Sequence, residues 1–107
     1  MELSQYQIVL VNLDPTIGSE IQKTRPCVII SPDEMNAHLR TMVVAPMTTK
    51  SKKYPSRIEV KHEGRIGWIV LDQVRTIDKL RIVKQIGQLS GPSIKEVKAI
   101  LKEMFVD

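Results

Sequence analysis

A small, partly open β-barrel backed by one C-terminal helix is the fold class this sequence predicts. Three observations carry the reading: five to six short apolar runs rich in β-branched residues, turn chemistry between nearly all of them, and a switch to helical spacing after Ser93. At 107 residues the chain is read as one domain, residues 1–107, with enough length for a modest core without metal or disulfide staples. No internal repeat, low-complexity stretch or linker divides it.

Ile8 to Leu13 is an apolar run, interrupted only by Asn12, and predicts a strand covered on both faces. Asp14-Pro15-Thr16-Ile17-Gly18-Ser19 ends it, because proline, glycine and short hydroxyl side chains each favour turns. Arg25 precedes Pro26, which biases it to extended geometry, so it should enter a second strand over Cys27 to Ser31 with its side chain firmly held. Pro32 to Asn36 reads as a turn or one helical turn. A third strand starts over Thr41 to Ala45 and ends in Pro46-Met47-Thr48-Thr49.

A basic loop then leads to a short strand at Arg57 to Val60, a hairpin turn at Glu63-Gly64-Arg65, and a strand over Gly67 to Leu71 with Trp68 as its large apolar anchor. A last strand lies in Ile82 to Leu89, where Gly87 suggests a bend or bulge. Ser93-Ile94-Lys95-Glu96 fits a capping box. Ile94, Val97, Ile100, Leu101 and Met104 follow at helical spacing, with Lys95, Lys98, Lys102 and Glu103 on the other face. That helix should dock on the β-rich body.

Lys plus Arg number 16 against 12 Asp plus Glu, a net charge of +4, and position matters more than the total. Residues before 23 carry three acids and no base; residues 23 to 84 carry thirteen bases and six acids. Within that span Lys50, Lys52, Lys53 and Arg57 surround Tyr54 and Pro55. A phosphate backbone is attracted to such a patch and a tyrosine in it can stack a base. The plainer reading, a solvated charged loop, stays open.

The lone Cys27, flanked by Val28, Ile29 and Ile30, has no intrachain partner and reads as a packed strand residue. Met1-Glu2-Leu3-Ser4 has no basic n-region and no run approaches the ~20 apolar residues of a membrane span, so the expectation is a cytoplasmic protein with no membrane association. A metal site is not expected, since His38 and His62 lie apart without ligand spacing. His62 titrates near neutrality in isolation but reads as an exposed loop residue. Glycine-rich phosphate cradles and a nucleophile elbow are absent, and no cofactor is implied.

Glu20, Arg25, Thr48 and the basic loop remain, a set suited to cleaving RNA through its own 2′-hydroxyl. Arginine, with planar donors that grip two phosphate oxygens, suits stabilisation of a pentavalent phosphate and cannot serve as a base. A threonine hydroxyl can donate to a nonbridging oxygen, and a carboxylate such as Glu20 can take a proton. From the residues alone, Arg25 as a solvated arginine at a strand start and Thr48 as a turn hydroxyl remain open.

Four segments in order carry a resemblance: Asp14-Pro15-Thr16-Ile17-Gly18-Ser19-Glu20; Arg25-Pro26 with an apolar strand ending Ser31-Pro32; Pro46-Met47-Thr48-Thr49 with Ser51-Lys52-Lys53-Tyr54-Pro55; and Leu71-Asp72-Gln73-Val74-Arg75. Together they resemble the MazF/PemK/Kid family of toxin endoribonucleases over essentially the whole chain. The resemblance implies an SH3-like barrel with an added helix, and a homodimer. It further implies metal-independent cleavage of single-stranded RNA at short sequences, leaving 2′,3′-cyclic phosphate and 5′-hydroxyl ends. It puts the catalytic pair at Arg25 and Thr48, with Glu20 as an assisting acid. Ser19, Lys50, Ser51, Lys52, Lys53, Tyr54 and Gln73 fall on regions that line the RNA groove. The implied partner is an antitoxin whose flexible acidic tail covers that groove.

The chain departs from the common pattern at Tyr6-Gln7 and Leu10, where many members have Gly-Asp and a tryptophan, and at Lys23, where glycine is frequent. RNA sequence preference is therefore not carried over. Two rival functions share the barrel. A gyrase poison of the CcdB kind acts through a Trp-Gly-Ile ending, whereas this chain reads Met104-Phe105-Val106-Asp107. A non-catalytic nucleic-acid-binding barrel would bind RNA without cutting it and tolerate Arg25→Lys.

Overall fold

The computed structural model describes residues 2–62 and 64–106, and the His62 side chain also lies outside the described set, so the reading of that histidine has no counterpart here. The elements are β1 (Gln7–Asn12), β2 (Thr24–Ile29), α1 (Asp33–His38), β3 (Thr41–Thr48), β4 (Arg57–His62), β5 (Arg65–Val70), β6 (Arg75–Asp78), β7 (Ile82–Gln88) and α2 (Gly91–Phe105). Among the described residues seven strands form one sheet in the order β4-β5-β3-β2-β1-β7, with β6 paired to β3 off that path. All the pairings are antiparallel and the sheet stays open, the predicted fold class.

Alternation along the central strands builds two cores, one on each face. Ile8, Val28, Ala45 and Met47 point to one side, where Ile58, Val60, Ile69 and Leu71 meet Val97 of α2. Val9, Val11, Cys27, Ile29, Met42 and Val44 point to the other and pack with Leu13 and Ile77. β1 is apolar from Ile8 to Val11 because both of its faces are covered, and the one polar residue before Leu13, Asn12, is exposed at the end of the strand.

Several expectations are corrected. The N-cap of α2 is Ser90, whose hydroxyl accepts the Ser93 N–H at 3.3 Å, so the helix starts three residues before the Ser93 capping box. Pro92 is no obstacle, because first-turn residues have no intrahelical acceptor for their N–H. Met104 is 39% exposed near the end of that helix, leaving Ile94, Ile100 and Leu101 to pack beside Val97. Trp68 is only partly buried, and its neighbours Ile69 and Val70 anchor β5 instead. β6 has no counterpart among the strands expected from the sequence, because with four residues and only Ile77 buried it is too short to show a period.

The irregularity expected at Gly87 lies beside it, where the β1–β7 register slips between the pairs Ile8↔Gly87 and Val9↔Gln85. A second slip follows between Leu10↔Lys84 and Val11↔Ile82. Of the predicted hairpin turn, Glu63 lies outside the described residues; Gly64 has φ +75°, and β4 and β5 pair from His62↔Arg65 onward. α1 is tied to β3 by buried polar groups. Asn36 donates to Ser31 O at 2.9 Å, and the Ser31 hydroxyl accepts the Val43 N–H at 3.1 Å.

Candidate active site

β2 and β3 pair through Ile29↔Val44, Val28↔Ala45 and Cys27↔Pro46, and there the ladder ends. Pro46 has no N–H to give, so the two strands part. Two residues further, the same count sets Arg25 against Thr48. Both line a cavity of about 480 Å³ with Pro26, Met47, Thr49, Arg65, Ile66 and Gly67.

Arg25 is half-buried and donates through Nε to Gln22 O at 2.8 Å; its two terminal nitrogens have no protein partner among the described residues. That hydrogen bond and the extended backbone before Pro26 fix the stem of the side chain while its terminal donors stay available. The Thr48 hydroxyl accepts the Lys50 N–H at 3.2 Å, and its own contact to Lys50 O is long at 3.5 Å. Its oxygen is oriented by the backbone while its proton is only weakly engaged. β5 closes the far side, pairing Trp68 with Thr48, which brings Arg65 to the cavity as a second guanidinium. Arg65 follows Gly64 in the hairpin, but only the β3–β5 pairing reveals its neighbours.

Glu20 is not in this cavity. It lines an adjoining one of about 180 Å³ with Ile21, Pro46, Asp72, Gln73, Val74 and Arg75, and its Oε1 accepts the Ile17 N–H at 2.7 Å. Gln73 shares that second cavity and accepts the Ile21 N–H at 2.8 Å, so it braces the loop between β1 and β2. Arg75 reinforces the loop by donating to Leu13 O at 3.1 Å. Ser19 is exposed on the same loop and lines neither cavity.

Lys50, Lys52 and Lys53 are exposed, as a phosphate-binding strip requires. Arg57, counted with them in the sequence, is engaged elsewhere: its Nε and a terminal nitrogen grip both oxygens of Asp72 at 3.1 Å each. The Arg57 guanidinium, first through its hydrogen bonds, holds the Asp72 carboxyl below the usual carboxylate range, and the Asp72 carboxylate raises Arg57 in turn. Cys27 is buried, and burial pushes its thiol up to about 12, in keeping with a packed residue. No group of three or more His, Cys, Asp or Glu side chains that could hold a metal occurs among the described residues. Nor is any helix among them long and apolar enough to cross a membrane.

A family described as PemK-like, MazF-like toxin of type II toxin–antitoxin systems matches residues 4–105. The chain is 34% identical over 96 residues to "Endoribonuclease MazF" of Staphylococcus saprophyticus, covering 84% of this chain and 80% of that protein. Its fold resembles that of MazF from Deinococcus radiodurans, with a TM-score of 0.88 at 24% identity, over 100% of this chain and 99% of that one. A MazE–MazF complex from the same organism gives 0.80 at 21% identity, with the same shares of the two chains covered.

Proposed function

Because the chain belongs to the PemK-like, MazF-like family of type II toxin–antitoxin toxins, we propose that it is a metal-independent endoribonuclease cutting single-stranded RNA at short sequences. The observation that supports this most is the meeting of Arg25 and Thr48 in one cavity at the open end of the β2–β3 pair. In this mechanism the 2′-oxygen attacks phosphorus, the bond to the 5′-oxygen breaks, and the products are a 2′,3′-cyclic phosphate and a 5′-hydroxyl. The terminal nitrogens of Arg25 stabilise the pentavalent phosphate and donate hydrogen bonds to the leaving 5′-oxygen, which takes its proton from solvent. Thr48 donates its weakly engaged proton to a nonbridging oxygen. Glu20, on the β1–β2 loop outside that cavity, is the assisting carboxylate that takes up the 2′-hydroxyl proton.

Lys50, Lys52 and Lys53 hold the strand by charge and Tyr54 by stacking. Ser51, Ser19 and Gln73 complete the groove. The working form is a cytoplasmic homodimer, and its partner is an antitoxin whose acidic, flexible tail neutralises the same strip. The MazE–MazF complexes of related fold are consistent with such a partner.

The test is incubation of the purified protein with a long unstructured RNA in EDTA beside Arg25→Ala, mapping the ends. Discrete cuts with 5′-hydroxyl ends that vanish in the variant are expected. RNA that is bound but stays intact would overturn the catalytic reading in favour of a binding barrel; if RNA is neither cut nor bound, gyrase is the next target to assay.

A further inference from the structure

We infer that Arg57 and Asp72 are positioning residues, which clamp the Lys50–Tyr54 loop and set the Tyr54 ring as a stacking platform for an RNA base. The inference rests on the proposed RNA-cleaving function, but its structural half stands apart from it. The segment between β3 and β4 has no regular secondary structure and carries Lys50, Lys52 and Lys53, whose like charges favour a spread ensemble. One side chain counters that tendency at both ends of the loop.

The Arg57 fork closes on Asp72 with Nε–Oδ1 and terminal N–Oδ2 distances of 3.1 Å. Its other terminal nitrogen donates to the Ser51 hydroxyl at 3.0 Å. The guanidinium plane also sits 4.8 Å from the centre of the Tyr54 ring. Asp72 is anchored in turn: it accepts the Ser56 hydroxyl at 2.9 Å, and the Leu71 N–H next to it donates to Ser56 O at 3.0 Å. Asp72 belongs to the 3-10 turn Leu71–Gln73, so the clamp fastens the loop to the sheet end that also carries Gln73.

Two consequences distinguish Arg57 from the lysines. Its charge is compensated and all three of its nitrogens are in use, so it adds little to phosphate binding. Tyr54 has one face covered by the guanidinium yet remains 48% exposed, which leaves the other face open to a base. A ring already held costs less to order on binding than a mobile one. Lysine cannot replace Arg57 here, because a single ammonium has neither the fork nor the plane.

The test uses Arg57→Lys, which keeps the charge, and Asp72→Asn, beside the wild type. In the RNA-free protein, trypsin should cut after Lys52 and Lys53 several-fold faster in both variants. For RNA cleavage by Arg57→Lys, KM should rise roughly tenfold, the scale of one weakened base–aromatic stack, while kcat stays within about twofold. The salt dependence of its binding should keep the wild-type slope, since the cation count is unchanged. Wild-type trypsin resistance in both variants would overturn the clamp. Loosened loops with an unmoved KM, or a loss confined to kcat, would overturn the platform. If the wild type itself cuts no RNA, the proposed function fails, and the trypsin rates alone decide the clamp.

Discussion

Arg25 and Thr48 stand on neighbouring antiparallel strands, two residues beyond the final Cys27↔Pro46 pair, and their side chains face one cavity. They lie 23 positions apart in the chain; the β2–β3 register brings them together. Changing either to alanine should cut turnover by roughly 10²- to 10³-fold, as for a lost oxyanion donor, with far smaller changes in RNA affinity. Single-turnover rates beside filter binding check this, and Thr48→Ala at the wild-type rate would remove that residue from the mechanism.

The exposed lysines make a separate prediction. Lys52→Ala with Lys53→Ala should weaken binding across RNA sequences alike. It should also lower the slope of log K against log salt by about 1.4, or ~0.7 for each lost contact to a single strand. Titrations at several salt concentrations measure that slope, and an unchanged value would count against this strip.

Among the described residues Lys23 is one of two non-glycine residues with positive φ, at +73°. Its N–H is held by Asp14 Oδ1 at 2.9 Å and its carbonyl by the Leu13 N–H at 3.0 Å, so the loop base enforces the conformation. Left-handed geometry costs a side-chain-bearing residue about 1–2 kcal/mol, and glycine gives back part of that in entropy. Lys23→Gly should therefore raise stability by about 0.5–1 kcal/mol, read as a higher urea midpoint at unchanged m-value.

Asp72 links stability to acid. Its carboxyl is lowered in the folded protein from 3.8 when unperturbed, first by the hydrogen bond from Arg57, so the clamp contributes fully above that value. The contribution fades as pH falls through the lower folded value. Since the pair is partly exposed, it is expected to be small. Asp72→Asn should accordingly be less stable than the wild type at pH 7 and nearly equal to it at the acid end of a denaturation series.

Cys27 behaves in the opposite sense. Burial raises its thiol from 9.0 to about 12, so its stabilising effect is complete below pH 9 and is lost as pH climbs towards 12. At pH 8 the folded protein should resist iodoacetamide and become reactive in denaturant. Rapid alkylation of the native chain would show that the thiol is not shielded.

What the sequence by itself determined is what neighbouring residues decide. The doubly covered run at Ile8, the turn chemistry after Leu13, the extended Arg25-Pro26 step and the helical spacing from Ile94 to Leu101 are all local, and each has its element in the fold. The family, too, was legible, since four motifs in order need no coordinates. Local signals misled where two of them competed: Ser93 with Glu96 made a plausible cap, yet Ser90 begins the helix because Pro92 fits its first turn. Trp68 is the largest apolar side chain of β5, but Ile69 and Val70 at the end of the strand are the ones fully buried, so depth along the strand and not size decides burial there.

Only the tertiary structure decided who meets whom. Glu20 stands close to Arg25 in the chain yet lines the adjoining cavity, while Arg65, forty residues away, shares Arg25's. Arg57 counts in the sequence as one more base of the phosphate-attracting patch, and in the fold it is paired with Asp72. The physical reason is common to these cases. Register between strands distant in sequence is fixed by the summed packing of two cores, a quantity that no short window of residues contains.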